Sequence, residues 1–221
     1  MQTIKLQIAP VSKAEAMSDL EFAAMLVSRV CHDLVSPVGA VVNGLEVLED
    51  ENNAAMRADA LKLVTSSAEQ AAARLQFARV AFGAAGSAGA ELDLTEVGRN
   101  LKNLVRGGKV ELDWQAASLN WPKDWAKLLM NAALLAVDSL PRGGQVHVET
   151  SNDAAAPGFT VRATGAHARM LEEVQKAAMG EPSAPLDGRS IQAYLTHKLA
   201  RGLNAGLTVS ARDGVVELVA G

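Results

Sequence analysis

A histidine followed by an acid, a serine and a proline forms the most reactive cluster of residue types in the sequence. His32, Asp33, Ser36 and Pro37 lie close together in the chain. A neutral imidazole is a nucleophile near neutral pH, and a neighbouring carboxylate can fix its tautomer and take up positive charge as the ring reacts. Pro37 removes the helical hydrogen bond to the carbonyl of Asp33 and is expected to bend the helix there. The cluster indicates nucleophilic chemistry at His32, with Asp33 as its acid–base neighbour.

A long helical pattern over residues 18–51 positions this cluster. At about 100° per residue, the side of the helix around His32 is small or polar, and the opposite side is apolar. The apolar seam comprises Ala23, Val27, Val30, Leu34, Val41, Leu45 and Leu48. We therefore expect the imidazole to face outward, beside a surface that docks a partner protein together with part of the second helix. The partner-binding residues predicted on this helix are Ser28, Arg29, Ser36, Gly39, Asn43 and Glu46.

A second helical pattern over residues 53–82 completes a hairpin. Its apolar residues alternate at spacings of three and four, which is typical of knobs-into-holes packing. They are Leu61, Val64, Ala68, Ala71, Leu75, Ala78 and Phe82. Asn52 or Asn53, in the short polar turn, is expected to cap this helix. Because two helices cannot close a core, the pattern predicts a homodimer whose centre is a four-helix bundle.

The second half of the chain combines helical and strand patterns, which predicts an α+β fold. We expect a helical hairpin domain over residues 18–83, a Gly/Ala/Ser linker over residues 84–91, and an α/β domain over residues 92–221. The predicted helices cover residues 92–106, 122–140, 168–179 and 191–203, and the predicted strands cover residues 110–114, 146–150, 159–163, 207–211 and 215–219. Pro122 suits a first helical turn, and Asp213-Gly214 suits a hairpin turn.

Composition restricts the class of protein. The chain has 221 residues, with 21 basic and 25 acidic side chains, as expected of a globular protein. Because the chain has no dense run of basic residues and few aromatic residues, we do not expect it to bind nucleic acid. Uncharged apolar stretches fall short of the roughly 18 residues that span a bilayer, so no membrane partner is expected either. Cys31, the only cysteine, fits the reducing cytoplasm and is expected to be a packing residue.

The segment from Cys31 to Pro37 resembles the H-box of the dimerisation and phosphotransfer domain of two-component sensor histidine kinases. Together with residues 22–26, 44–50 and 75–83, it is similar more particularly to the ChpT-type histidine phosphotransferases. By this resemblance His32 accepts the phosphoryl group, Asp33 is its acid–base neighbour, and Ser36 occupies the position that in kinases helps to orient a hydrolytic water.

The second half resembles a degenerate kinase-type (Bergerat-like) α/β sandwich. Residues 128–133 and 141–144 are similar to the N-box and the turn that follows it, and Asn131 occupies the position that holds Mg²⁺ in kinases. Lys127 replaces the usual acidic or histidine residue. Residues 163–167 lack the aspartate that binds adenine, and the glycine-rich phosphate loop is missing at residues 190–194. The resemblance therefore implies a fold without bound ATP and without a cofactor of its own.

These features predict a cytoplasmic transferase that relays phosphoryl groups between receiver-domain aspartates through His32. The resemblance implies that its partners are the receiver domains of a hybrid kinase and of response regulators, and that the receiver supplies the Mg²⁺. Two alternatives stay open. One is a diverged ATP-dependent histidine kinase, and the other is a non-catalytic dimeric scaffold that only docks regulators.

Overall fold

Two long helices form the N-terminal hairpin. The computed structural model describes residues 17–50, 55–83, 90–182 and 185–221, so Asn52, Asn53 and most of the predicted linker lie outside the described residues. Helix α1 spans Asp19–Glu49 and helix α2 spans Arg57–Ala81. Ser18 caps α1, because its hydroxyl accepts from the backbone N–H of Glu21 at 3.2 Å while the Glu21 carboxylate accepts from the backbone N–H of Ser18 at 2.9 Å. This reciprocal pair fixes where α1 begins.

The predicted apolar seams are only partly covered within one chain. In α1, Pro37 and Gly44 are buried against the rest of the chain. In contrast, Val27 and Leu45 of the α1 seam and Leu61 and Leu75 of the α2 seam are exposed. The hairpin therefore buries one side of each helix and leaves an apolar strip open. Cys31, predicted to be a packing residue, is also exposed in the single chain.

The remaining residues form two small sheets and four helices. The helices are α3 (Leu94–Val105), α4 (Lys123–Asp138), α5 (Glu172–Ala178) and α6 (Ser190–Gly202). The strands are β1 (Glu91–Asp93), β2 (Val110–Gln115), β3 (Asn120–Pro122), β4 (Gly144–Thr150), β5 (Phe159–Thr164), β6 (Thr208–Arg212) and β7 (Val215–Ala220). Strands β1 and β3 pair antiparallel, and the main sheet has the order β2-β4-β5-β7-β6, with only β2 and β4 parallel. The α+β class is confirmed.

Helix α4 is the centre of the core. Its residues from Ala126 to Ala136 are all buried, which is why the sequence there has almost no polar face. Alternate residues of the sheet close the core on one side, as the two-residue period of a strand requires. These include Val146, Val148, Val161, Ala163, Val216 and Leu218.

The element boundaries differ from the predictions at several places. The predicted helix at residue 92 is preceded by strand β1, and the predicted helix at residue 168 begins only at Glu172. Pro122 belongs to β3 and is the N-cap of α4 rather than a residue of its first turn. The terminal hairpin is confirmed: Asp213 and Gly214 have φ of 45° and 76°, the left-handed values that a tight two-residue turn needs.

Contacts between the hairpin and the C-terminal part hold the two together. The Asn131 side chain on α4 donates to the carbonyl of Ala81 at the end of α2, 3.1 Å away. At the start of α1, the Phe22 ring meets the edge of Tyr194 on α6 with centroids 6.1 Å apart. The ammonium of Lys198 lies 4.9 Å from the centroid of Phe22. The hairpin therefore contacts α4 through the end of α2 and α6 through the start of α1.

One helix meets the criterion for crossing a bilayer. Among the described residues, α1 alone is long and apolar enough by length and composition, with a mean hydropathy of 1.3 in its most apolar window. The sequence-based expectation considered only uncharged stretches and so did not single out α1, which intersperses charged with apolar residues. Only 6% of that window is buried within the chain.

Candidate functional site

The His32 side chain projects from α1 into solvent. Its side chain is 86% exposed, which confirms the outward orientation predicted from the helical phase. The Nδ1 atom lies 3.4 Å from Oδ1 of Asp33, at the outer limit of a hydrogen bond. A proton held on Nδ1 by this carboxylate leaves the lone pair on Nε2, the ring atom farther from the helix. The arrangement can therefore present a neutral, nucleophilic Nε2 to a partner.

The Asp33 carboxylate is held from its other side by Arg29. Oδ2 of Asp33 accepts from Nε of Arg29 at 2.9 Å, one helical turn earlier on α1. The same guanidinium donates from Nη2 to Oδ2 of Asp138 at 2.9 Å and from Nη1 to the carbonyl of Gly188 at 3.2 Å. Asp138 ends α4, and Gly188 precedes α6. One guanidinium thus connects α1 with two elements of the C-terminal part.

Burial and charge act in opposite directions on this ion pair. The surrounding protein raises the pKa of the Asp138 carboxyl, although its side chain is still 44% exposed, and the Arg29 guanidinium opposes that rise. For Arg29, burial lowers the pKa, but Asp138 and Asp33 outweigh it and leave the pKa above its ordinary value. The guanidinium is therefore charged at any physiological pH, as arginine normally is.

A cleft of about 660 Å³ opens beside His32, between α1 and the C-terminal part. The charged residues that line it are Arg29, Asp33, Asp138, Arg169, Asp187 and Arg189. His32 and Ser28 stand at its α1 side, and apolar residues such as Leu171 and Val174 form part of its opposite wall. The reactive imidazole therefore borders a concave surface built from both parts of the chain.

The predicted partner-binding residues divide into two groups. Ser28 and Arg29 line the cleft together with His32 and Asp33. Ser36, Asn43 and Glu46 are exposed farther along α1 and lie outside the cleft lining, as does the half-buried Gly39. The Arg29 side chain is only 13% exposed and is engaged with two carboxylates, so little of it is available to a partner.

Sequence reasoning missed the residues that the C-terminal part contributes to this site. Asp138, Arg169, Asp187 and Arg189 come from segments between about 110 and 160 positions after His32, which no local pattern connects to it. Two signals were present. Arg29 and Asp33 have the i, i+4 spacing of a helical ion pair, and Asp138 is an acid at the carboxyl end of a helix, where the helix dipole disfavours it.

The asparagine at the kinase metal position has other partners here. Asn131 is fully buried, and its side-chain nitrogen donates to the carbonyls of Ala81 and Lys127 at 3.1 and 2.9 Å. Its side-chain oxygen accepts from Nε2 of Gln192 at 3.1 Å. Lys127 donates to the carbonyl of Gly83, and burial lowers the pKa of its ammonium. Asn131 therefore joins α4 to α2 and α6.

A second histidine environment lies on the outer face of the main sheet. His147 on β4 has Nδ1 2.7 Å from Oδ2 of Asp113 and Nε2 3.0 Å from Oε1 of Glu149. Both carboxylates favour the protonated ring and raise the pKa of His147. Among the described residues, no group of three or more His, Cys, Asp or Glu side chains is placed to hold a metal ion. The His147 cluster is therefore an ion-pair network.

Comparisons with known proteins agree over most of the chain. A family model described as the histidine phosphotransferase C-terminal domain matches residues 94–215. A protein of Brucella abortus (strain 2308) named protein phosphotransferase ChpT is 39% identical over 204 residues, which are 92% of this chain and 95% of the relative. A solved structure of a bacterial phosphotransferase has 35% sequence identity and a TM-score of 0.83, and the match covers 93% of this chain and 98% of that one.

Proposed function

The chain belongs to the histidine phosphotransferases of phosphorelay signalling, and from that premise we propose that His32 is the residue that carries the phosphoryl group. The observation that supports this proposal is the exposed imidazole of His32, with a carboxylate beside Nδ1, at the edge of the cleft. The other three histidines are not among the residues that line the cleft, and two of them, His147 and His167, contact charged side chains of the C-terminal part.

The proposed donor and acceptor are receiver domains phosphorylated on aspartate. The neutral Nε2 of His32 attacks the phosphorus of the acyl phosphate, so that an N–P bond forms, the P–O bond to the carboxyl group breaks, and the aspartate leaves as a carboxylate. Because Nδ1 keeps its proton, the phosphorylated ring is cationic, and Asp33 stabilises that charge. A second receiver reverses the step with its own aspartate. Positioning and the Mg²⁺ that the receiver holds supply most of the rate.

We propose that the phosphoryl group does not come from ATP bound to this chain. Asn131, the residue at the kinase metal position, has both ends of its amide occupied by Ala81, Lys127 and Gln192. To bind Mg²⁺ it would have to give up buried hydrogen bonds, at a cost of about 1–3 kcal/mol for each group left unpaired. The proposed division of roles therefore leaves nucleotide chemistry to the proteins that phosphorylate the receivers.

We also propose that the chain is a homodimer with a four-helix bundle at its centre. An apolar strip on α1 and α2 is uncovered in the single chain, and it comprises Leu20, Val27, Val38, Leu45, Leu61 and Leu75. Leu61 and Leu75 are two heptads apart, the repeat that interlocking helices use. A second copy of the chain presents the same strip, so the two strips can cover each other.

A helix with one polar side does not suit the bilayer interior. We therefore propose that the dimer is cytoplasmic.

The experiment that tests whether His32 carries the phosphoryl group compares two possible donors. Purified protein is incubated with radiolabelled ATP and Mg²⁺ alone, or with a receiver domain that already carries labelled phosphoaspartate. We expect label on this chain only from the receiver, and none on the His32→Gln variant. Label taken directly from ATP would establish a kinase instead. Receiver binding without any label transfer would establish a scaffold.

A further inference from the structure

Asp138 is an acid in a position that its own helix disfavours. It is the last residue of α4, whose final turn contains no basic residue, and the carbonyl end of a helix carries partial negative charge. It also lies close to a second acid, Asp33, which raises its pKa further. The helix dipole therefore does not favour a carboxylate here, and its favourable charges come from the guanidinium groups of Arg29 and Arg74.

Arg29 connects this carboxylate to the reactive histidine. Its planar fork donates Nη2 to Asp138 and Nε to Asp33, both at 2.9 Å, and the free carboxylate oxygen of Asp33 lies 3.4 Å from Nδ1 of His32. An arginine side chain has several rotatable bonds, and it stays in one geometry only where each end of the fork has a partner. Asp138 and the Gly188 carbonyl supply those partners from the C-terminal part.

We propose that Asp138 is a positioning residue for phosphotransfer: through Arg29 it holds Asp33 against Nδ1 of His32, and so keeps the lone pair on the nucleophilic Nε2. The inference rests on the proposed function, in which His32 carries the phosphoryl group. It assigns a role to the C-terminal part of the chain that does not involve nucleotide. This part completes the site electrostatically, although none of its residues forms a bond to phosphorus.

The charges around Asp138 set the expected effects of substitution. The charged residues that line the two cavities beside it are Arg29, Asp33, Arg74, Arg169, Asp187 and Arg189. Replacing Asp138 with Asn removes one of the two carboxylates that hold the Arg29 guanidinium. Replacing Arg29 with Gln removes the group that holds Asp33. A purely structural role for either residue would not move the proton of the neutral His32 ring from one nitrogen to the other.

The tautomer of His32 gives the most direct measurement. With ¹⁵N-labelled histidine, the chemical shifts of the two ring nitrogens report which one carries the proton in the neutral ring. We expect the wild-type protein to favour the proton on Nδ1, and Asp138→Asn to move the population towards a proton on Nε2. Phosphoryl uptake from a phosphorylated receiver should fall about tenfold in maximal rate, with the receiver concentration at half-maximal rate unchanged. Asp138→Glu, which keeps the charge, should recover most of the rate.

A double-substitution cycle tests whether Asp138 acts through Arg29. If it does, Asp138→Asn has little further effect on the rate in the Arg29→Gln background, and the two losses do not add. Glu111→Gln, which removes an exposed acid on β2, is the matched control and should behave as the wild type. Circular dichroism confirms that each variant is folded before its rate is compared.

The outcomes separate this inference from the proposed function. Label on His32→Gln would overturn the phosphoryl carrier itself, whatever Asp138 does. If His32→Gln takes no label while Asp138→Asn keeps the wild-type tautomer and rate, the positioning role of Asp138 is wrong and the carrier stands. Additive losses in the cycle would likewise show that Asp138 does not act through Arg29.

Discussion

Gly44 of α1 lies so close to Val64 of α2 that a Cβ atom on the glycine would be 2.6 Å from Cγ2 of the valine. The same Cβ would be 3.3 Å from the carbonyl oxygen of Ala60, so part of the obstacle is backbone. The glycine is therefore what lets the two helices of the hairpin approach closely at this level. This contact helps to set how α1, the helix that carries His32, packs against α2.

Gly44→Ala should destabilise the protein despite the better helix propensity of alanine. Overpacking costs about 1–3 kcal/mol, and alanine returns up to about 1 kcal/mol of that in a helix. Gly39→Ala is the matched control, because a Cβ at Gly39 meets nothing within 4 Å, and it should stabilise by about 0.5–1 kcal/mol. Urea unfolding at one protein concentration measures both. Equal stabilisation by the two substitutions would contradict the close packing at Gly44.

Leu75→Glu should convert the proposed dimer into monomers. The substitution places a charge in the strip that a second copy would cover, where an unpaired charge is strongly unfavourable. Sedimentation velocity should show the wild type at the mass of two chains and the variant at the mass of one. Leu63→Glu, on a different side of α2 and also exposed in the single chain, is the control that should remain dimeric.

The thiol of Cys31 gives an independent check on the same interface. Cys31 is the only cysteine in the chain, and it lies on the same side of α1 as Val27 and Val38. A thiol reagent should therefore react faster with Leu75→Glu than with the wild type. A monomeric wild type, or one that co-floats with lipid vesicles through this strip, would refute the proposed dimer.

The hairpin was predicted better than the rest of the fold because the signals for it lie within single helices. The spacing of apolar residues, Pro37 and the outward phase of His32 all follow from one helix at a time, and exposure of the imidazole confirms that phase. The β1–β3 pair was missed because each strand has only three residues, too few for a period of two to be visible. Seam residues such as Leu61 are exposed in the single chain, and the proposed second copy would cover them.

Replacement of Asn131 should reduce stability without revealing nucleotide binding. Asn131→Ala leaves the Ala81 carbonyl without its buried side-chain donor, which costs about 1–3 kcal/mol. The Gln192 amide loses one of its two acceptors and keeps the backbone carbonyl of residue 131. Asn100→Ala is the control, because its amide makes the same i−4 bond, to Glu96, at an exposed position, and it should change stability by no more than about 0.5 kcal/mol.

The same pair of variants tests for ATP. We expect a fluorescent ATP analogue at micromolar concentration to bind neither the wild type nor the variants. Binding to the wild type that is lost in Asn131→Ala but kept in Asn100→Ala would establish a working nucleotide site and reverse the proposal.

His147 should make stability depend on pH in a defined direction. Glu149 and Asp113 raise its folded-state pKa above the unfolded value, so its contribution is fully present below about pH 6.5. That contribution is lost as the pH rises through the folded-state value. The difference in melting temperature between the wild type and His147→Gln should therefore be largest near pH 5.5 and should shrink towards pH 8.5. A difference that grows with pH would contradict the assignment. Arg162, which lies opposite His147 on the neighbouring strand β5, is itself paired with Glu217.

Only the part of the candidate site that lies on α1 could be predicted from the sequence. His32 and Asp33 follow from their neighbours in the sequence, and Arg29 was predicted as a partner contact because it lies on the same side of the helix. Its contact with Asp138 depends on how α4 ends against α1, more than one hundred residues later. Tertiary packing decides which charges meet, and the helical period carries no information about it.

The most direct test of the account is a single-turnover measurement of phosphoryl uptake. Wild-type protein and His32→Gln are each mixed with a receiver domain that carries labelled phosphoaspartate, and the label on this chain is followed after acid and after base treatment. The account predicts label on the wild type that is lost in acid and stable in base, as a phosphoramidate is, and none on His32→Gln. Acid-stable label, or label retained by His32→Gln, would contradict it.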